Sequence, residues 1–325
     1  MNPEHLAELF PSAVLGRLRE LVRIDPSLVV QDFASPDAVA ALAEAEILVT
    51  GWGCPRLDAT VLERAPRLRA VLHAAGSVRS LVSEACWQRG LLVSSAVRAN
   101  ALPVAEYTLA AILLAGKDVL GARERFRAEH RYPPTRDLVG LGNFGRRVGV
   151  IGASRVGRRV LELLRPFDLR VALYDPYVDE EQSAELGAVP LSLEGLLRGS
   201  DIVTVHAPDI PATYRMLDRE RLAMIPDGGV LINTSRGALV DPEALTEELV
   251  SGRLSAVLDV TEPEPLPADS PLYRLPNVFL TPHIAGSVGN ELERLGRTVV
   301  EEVERLVAGA LPAYTVREAD LAVVA

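Results

Sequence analysis

Val148-Gly149-Val150-Ile151-Gly152-Ala153-Ser154-Arg155-Val156-Gly157 is the stretch that decides the fold. Its first four residues are apolar or glycine, as a strand buried on both faces of a parallel sheet requires. The next six approximate G-x-G-x-x-G and open a helix. Gly152 permits the tight turn, Gly157 lets helix and strand pack closely, and the N–H groups at the helix start face a pyrophosphate. Ser154 stands at the middle glycine, where the backbone approaches the phosphates. It is small, and its hydroxyl can bond a phosphate oxygen, so weakened rather than lost binding is expected. Asp175 closes the following strand at Tyr174-Asp175-Pro176, near the distance at which a carboxylate takes both ribose hydroxyls. Its charge repels a 2′-phosphate and favours NAD over NADP. The plain alternative is a strand–turn–helix corner with incidental glycines; Asp175 after a strand argues against it.

Outward from this turn, short β-branched or leucine-rich runs alternate with helical patterns. Strands are expected at Ile47–Thr50, Val71–His73, Leu91–Ser94, Arg147–Ile151, Arg170–Tyr174, Ile202–Val205, Val230–Asn233, Ser255–Asp259 and Val278–Leu280. Helices are expected at Val104–Lys117, Val156–Arg165, Leu193–Arg198, Arg219–Met224 and Pro242–Ser251, the last with Asp241 as N-cap and Pro242 at its first position. Such alternation means right-handed βαβ units and an α/β fold with doubly wound parallel sheets. The pattern breaks between Gly121 and Gly145, a polar stretch with Pro133 and Pro134, expected to be a linker or long loop. A last helix, Val288–Ala308, can return to the first domain and make it discontinuous.

The chain has 325 residues, enough for two domains, and 48% hydrophobic content supports real cores. No apolar run approaches the roughly 20 residues that span a bilayer, and no secretory signal is expected at Met1–Phe10. Cys54 and Cys86 have no metal or redox spacing, which suggests a reducing compartment and a cytoplasmic protein without a metal. A net charge of −10, spread along the chain, argues against nucleic acid as a partner. Lys117 is the only lysine among the 34 Lys and Arg residues, which reads as codon bias.

Three residues far apart carry candidate chemistry. Arg236 follows a strand in Asn233-Thr234-Ser235-Arg236-Gly237, where a guanidinium can emerge at the carboxyl edge of the sheet, pair with a carboxylate and polarise a keto oxygen. His283 sits on a turn in Thr281-Pro282-His283-Ile284-Ala285-Gly286. An imidazole, with an ordinary pKa of ~6.5, can give and take a proton there. Glu264 lies in the acidic Asp259-Val260-Thr261-Glu262-Pro263-Glu264-Pro265 loop and can fix the imidazole tautomer. Singly, each has a plain reading: a surface arginine, a satisfied turn histidine, a solvated carboxylate. His5, His73, His130 and His206 fit the plain reading.

With these motifs in order, the chain resembles the D-isomer-specific 2-hydroxyacid dehydrogenase family from about Val71 to about Ala308. The resemblance is strongest over the Gly152–Gly157 turn, His206-Ala207-Pro208, Asn233–Asp241, Asp259–Pro265 and Thr281–Gly286. It implies a Rossmann NAD-binding domain over 102–288 and a flavodoxin-like substrate domain over 1–101 plus 289–325, with a cleft between them. It implies hydride transfer between NAD(H) and a small 2-keto or 2-hydroxy acid, with Arg236, Glu264 and His283 catalytic. Glu264 is chosen over Glu262 because the family places its glutamate at that interval after the aspartate. Asp259 would bind the nicotinamide carboxamide; Thr234, Pro208, Gly286 and Thr108 would line the dinucleotide groove; Arg155 and Val156 would present backbone to the pyrophosphate. Gly76 and Ser77 stand in a loop that holds the substrate carboxylate in the family, although Val78 replaces a usual glycine. Arg79 adds a second positive group only if it points inward; a solvated arginine is the plainer expectation. A homodimer is implied by analogy through Asn100–Lys117. Rival readings are phosphite oxidation on the same scaffold and a non-catalytic NAD-sensing co-repressor; formate is disfavoured because that position there usually holds glutamine.

Overall fold

The computed structural model describes residues 1–322. The chain divides into two compact units, one formed by Met1–Ala101 with the stretch from Ser287, the other by Leu102–Gly286.

In the first unit, β1 (Ile47–Thr50), β2 (Ala70–His73) and β3 (Leu92–Ser95) pair in parallel and in sequence order. In the second, a seven-stranded sheet is built from β4 (Arg147–Ile151), β5 (Arg170–Tyr174), β6 (Val189–Pro190), β7 (Ile202–Val205), β8 (Val230–Asn233), β9 (Ser255–Leu258) and β10 (Val278–Leu280). Its order is β10-β9-β8-β7-β4-β5-β6, every pair parallel. That is the Rossmann order with one strand added, and its direction reverses between β4 and β7. β11 (Thr315–Val316) then closes the first unit's sheet antiparallel to β3.

The strands form where both faces are apolar. Val148, Val150 and Ile151 on β4 and Ile202, Val203 and Val205 on β7 have essentially no exposed surface. Helix Arg155–Leu164 buries Gly157, Val160, Leu161 and Leu164, a spacing of three and four that lays one face on the sheet. Helix Leu292–Val307 buries Leu295, Val299, Val303 and Leu306 in the same way, in the first unit's core.

Three expectations are corrected. The Gly121–Gly145 stretch is not a plain loop: Val119–Glu129 is an α-helix and Thr135–Leu138 a 3₁₀ turn. That helix buries none of its residues, so it has no apolar stripe to betray it, and ion pairs such as Arg125–Asp118 (2.7 Å) run along it. The helix expected from Val104 begins at Val97 and runs through Pro103 to Gly116. At 20 residues and mean hydropathy 1.3, it is long and apolar enough to cross a membrane by length and composition. Half of it is buried inside the structure, with Ala105, Thr108 and Ile112 in the core. Arg79 is half-buried, and its guanidinium donates to the Leu321 carbonyl.

Two histidines are buried neutral. Burial pushes His73 down to about 4 and His206 to about 3. Both values lie below the ordinary imidazole value, so on acidification the unfolded chain takes up protons first. Their contribution to stability is complete above pH ~6.5 and is lost as pH falls, by roughly 1.4 kcal/mol per histidine per pH unit. Thermal melts between pH ~6.5 and ~5, above the carboxylate range, should show a falling midpoint. A flat midpoint across that interval contradicts neutral burial.

Candidate active site

β8, β9 and β10 are adjacent and parallel, so the turns leaving them emerge at one edge of the sheet. Those turns carry Arg236, Glu264 and His283. The phosphate turn after β4 and the His206-Ala207-Pro208 segment after β7 leave the same edge, at the point where strand order reverses.

After β8, Asn233 is buried and shapes the turn with its amide. Its Oδ1 accepts from Ser235 N–H (3.0 Å) and its Nδ2 donates to the Arg236 carbonyl (2.8 Å). The Ser235 hydroxyl donates to the Val205 carbonyl at 2.8 Å. Arg236 is half-buried, and one guanidinium nitrogen donates to the Ser235 carbonyl at 2.6 Å. Among the described residues, no carboxylate lies within ion-pair distance of it. Gly237 is pressed on the next loop: a Cβ there would run into the Thr261 carbonyl group. This close approach holds the arginine turn against the acidic loop.

His283 Nδ1 and Glu264 Oε1 are 2.7 Å apart, with both side chains partly exposed. A carboxylate can only accept, so Nδ1 carries the proton of this bond and Nε2 is left to exchange a proton with a ligand. His283 has φ 55, the left-handed region that non-glycine residues seldom occupy. Such strain costs on the order of 1–3 kcal/mol and persists only where surroundings enforce it. Here Asp259 enforces it. Its carbonyl accepts His283 N–H at 3.0 Å, and its buried carboxylate accepts Ile284 N–H (2.8 Å), Ala285 N–H (2.9 Å) and the Thr281 hydroxyl (2.6 Å). Asp259 therefore shapes the histidine loop with both oxygens, a role its sequence context did not disclose.

The phosphate turn fits a dinucleotide. Gly152 has φ 95, and a Cβ on it would lie 2.7 Å from Ala207 N, so only glycine lets the turn pass under β7's exit. A Cβ on Gly157 would collide with the Gly152 carbonyl. Ser154 is the N-cap, its hydroxyl accepting Gly157 N–H at 3.3 Å. Arg155 is exposed and Val156 half-exposed on the first turn. Asp175 is fixed beside the turn, accepting Ala153 N–H (2.6 Å) and Tyr177 N–H (2.8 Å). Pro208 and Gly286 are half-exposed on their turns. Gly76 and Ser77 lie half-buried after β2 in the other unit, and Ser77 Oγ accepts Arg79 N–H at 3.4 Å.

Thr108 lies on helix Val97–Gly116. It has no exposed surface; its hydroxyl donates to the Val104 carbonyl (2.8 Å) and meets Thr234 Oγ1 at 3.0 Å. It braces the arginine turn. Tyr107, beside it, meets Thr281 Oγ1 at 2.8 Å and was not singled out by sequence.

The family model of the D-isomer specific 2-hydroxyacid dehydrogenase NAD binding domain matches residues 109–285. The chain belongs to that family. It is 32% identical to the glyoxylate reductase of Korarchaeum cryptofilum over 266 residues, 81% of this chain and 80% of that one. It is 36% identical to the D-3-phosphoglycerate dehydrogenase of Mycobacterium tuberculosis over 272 residues, 83% of this chain but 51% of that protein. The chain thus spans about half the length of such phosphoglycerate dehydrogenases. Among solved structures, a phosphoglycerate oxidoreductase from Rhizobium etli superposes with a TM-score of 0.81 at 26% identity, covering 97% of this chain and 96% of that one. A D-lactate dehydrogenase from Aquifex aeolicus, solved with NAD and lactic acid, has a TM-score of 0.70 at 27% identity, covering 93% and 95%. The cofactor is NAD, which the Gly152–Gly157 turn and Asp175 suit.

Proposed function

We propose that this protein interconverts a small 2-keto acid and its D-2-hydroxy acid. One observation carries the reading: Arg236, a guanidinium without a carboxylate partner among the described residues, shares a sheet edge with the His283–Glu264 pair. A half-buried guanidinium without a carboxylate partner at a sheet edge is available to an anionic ligand. Arg236 pairs with the substrate carboxylate and polarises the adjacent keto oxygen. When bound, NADH supplies the hydride that arrives at C2. His283 delivers the proton from Nε2 to the keto oxygen, and Glu264 stabilises the charged imidazole through Nδ1. In the oxidative direction the same nitrogen takes the proton back. Ser154, Arg155, Val156 and Gly157 hold the pyrophosphate, Asp175 the ribose, and Pro208, Thr234, Asp259 and Gly286 face the rest of the dinucleotide.

The reading includes a cytoplasmic homodimer. Cys54 and Cys86 are free thiols, and Phe126, Tyr132, Val139 and Phe144 expose apolar surface along one segment that a second copy can cover.

The test is NADH consumption with glyoxylate, hydroxypyruvate, pyruvate, bulkier 2-keto acids and phosphohydroxypyruvate, on material whose mass is measured by sedimentation. Turnover of the small acids by a dimer is expected. No turnover with any acid removes the reading, and a preference for the phosphorylated acid removes its substrate part.

A further inference from the structure

The mechanism needs Arg236 and His283 at a fixed separation, yet each sits on its own turn. Helix Val97–Gly116 touches both turns through neighbouring side chains. The proton directions in these contacts follow from chemistry alone. Asp259 Oδ1 can only accept, so the Thr281 hydroxyl donates to it at 2.6 Å, and the Tyr107 phenol must then donate to Thr281 Oγ1 at 2.8 Å. Asp259 in turn holds Ile284 and Ala285 N–H, and so the left-handed backbone of His283. On the other side, Thr108 gives its one proton to the Val104 carbonyl, so Thr234 must donate to Thr108 Oγ1 at 3.0 Å. Thr234 is two residues before Arg236. Burial pushes the Tyr107 phenol up, which keeps its proton in place.

We propose that Tyr107 and Thr108 are positioning residues that fix Arg236 and His283 relative to each other. Consecutive residues of a helix are separated by one rise of ~1.5 Å, so two loops tied to them share one rigid support. The inference rests on the catalytic reading of Arg236 and His283 given above. Its rival is a merely structural role, in which two hydroxyls satisfy their partners within the core.

The test uses the full chain and single hydroxyl deletions. Displacement of reacting groups by ~1 Å costs up to ~10²-fold. Tyr107→Phe is expected to lower kcat about tenfold and change the pH profile of kcat, with the NADH dissociation constant within about twofold of wild type. Thr108→Val is expected to raise KM for the keto acid, because it loosens the arginine turn. Thr281→Ser, which keeps the hydroxyl, should behave as wild type, and Thr281→Val, which also removes the bond to Asp259, should lower kcat at least as far as Tyr107→Phe. In the Thr281→Val background, Tyr107→Phe should have no further effect, the non-additivity of a shared chain. The Thr281 pair carries the test if Tyr107→Phe fails to fold.

Loss of thermal stability with kcat, KM and pH profile unchanged overturns the proposal, as does full additivity of Tyr107→Phe and Thr281→Val. Turnover that survives His283→Ala and Arg236→Ala identifies the catalytic reading as the failure instead, and takes this inference with it.

Discussion

His283→Ala is expected to lower kcat for keto-acid reduction by about 10²–10⁴-fold while NADH binds as before. The argument is geometric. His283 holds its Nδ1 proton against Glu264 at 2.7 Å, so Nε2 is the ring nitrogen free to serve the keto oxygen. Alanine removes the proton donor and the positive charge together. The phosphate turn and Asp175, which hold the pyrophosphate and the ribose, lie on other loops of the sheet, so most of the dinucleotide's contacts should be untouched. The bonds from Ile284 and Ala285 to Asp259, which hold the left-handed backbone at φ 55, do not involve the ring. Steady-state kinetics paired with NADH fluorescence titration checks both halves. A variant within a few-fold of wild-type kcat contradicts the assignment, and loss of NADH binding shows a collapsed loop in place of a missing proton donor.

Arg236→Ala should cost as much by another route. Its guanidinium forms no ion pair with a carboxylate among the described residues, so its removal strands no buried partner and should leave the fold intact. What is lost is the ligand's carboxylate partner and the polarisation of its keto oxygen, about 10²–10³-fold in kcat/KM. Arg236→Lys should recover little, because a point charge cannot pair with a planar carboxylate and reach the neighbouring oxygen at once. Melting temperature should stay near that of the wild type. Full recovery by lysine would mean that only net charge matters there and that the bidentate role is wrong.

Legibility in the sequence followed the physics of each element. β4 and the Gly152–Gly157 turn were readable because a two-faced apolar strand and an obligatory glycine leave residue-level marks. Helix Val119–Glu129 left none, because none of its residues is buried and its apolar residues form no stripe. β11 is two residues long and owes its pairing to the exposed edge of β3, which no local pattern announces. In the site, Glu264 and His283 are brought together as their motifs imply. The contact of Thr108 with Thr234 was not legible, because a hydroxyl on a helix has the same identity whether it meets a ligand or another threonine. Tyr107 and Thr281 are separated by 174 residues, so their contact exists only after folding. Asp259 shows the same limit: its place in the motif was plain, its four bonds around His283 were not.

The central claim is that hydride and proton are delivered to the two ends of one carbonyl at this sheet edge. Incubating the protein with glyoxylate or pyruvate and NADH carrying deuterium at both C4 positions, then locating the label by NMR, tests it directly. Deuterium on C2 of the product, with the D configuration when pyruvate is used, is the predicted result; unlabelled product, or an unchanged acid beside intact cofactor, contradicts it.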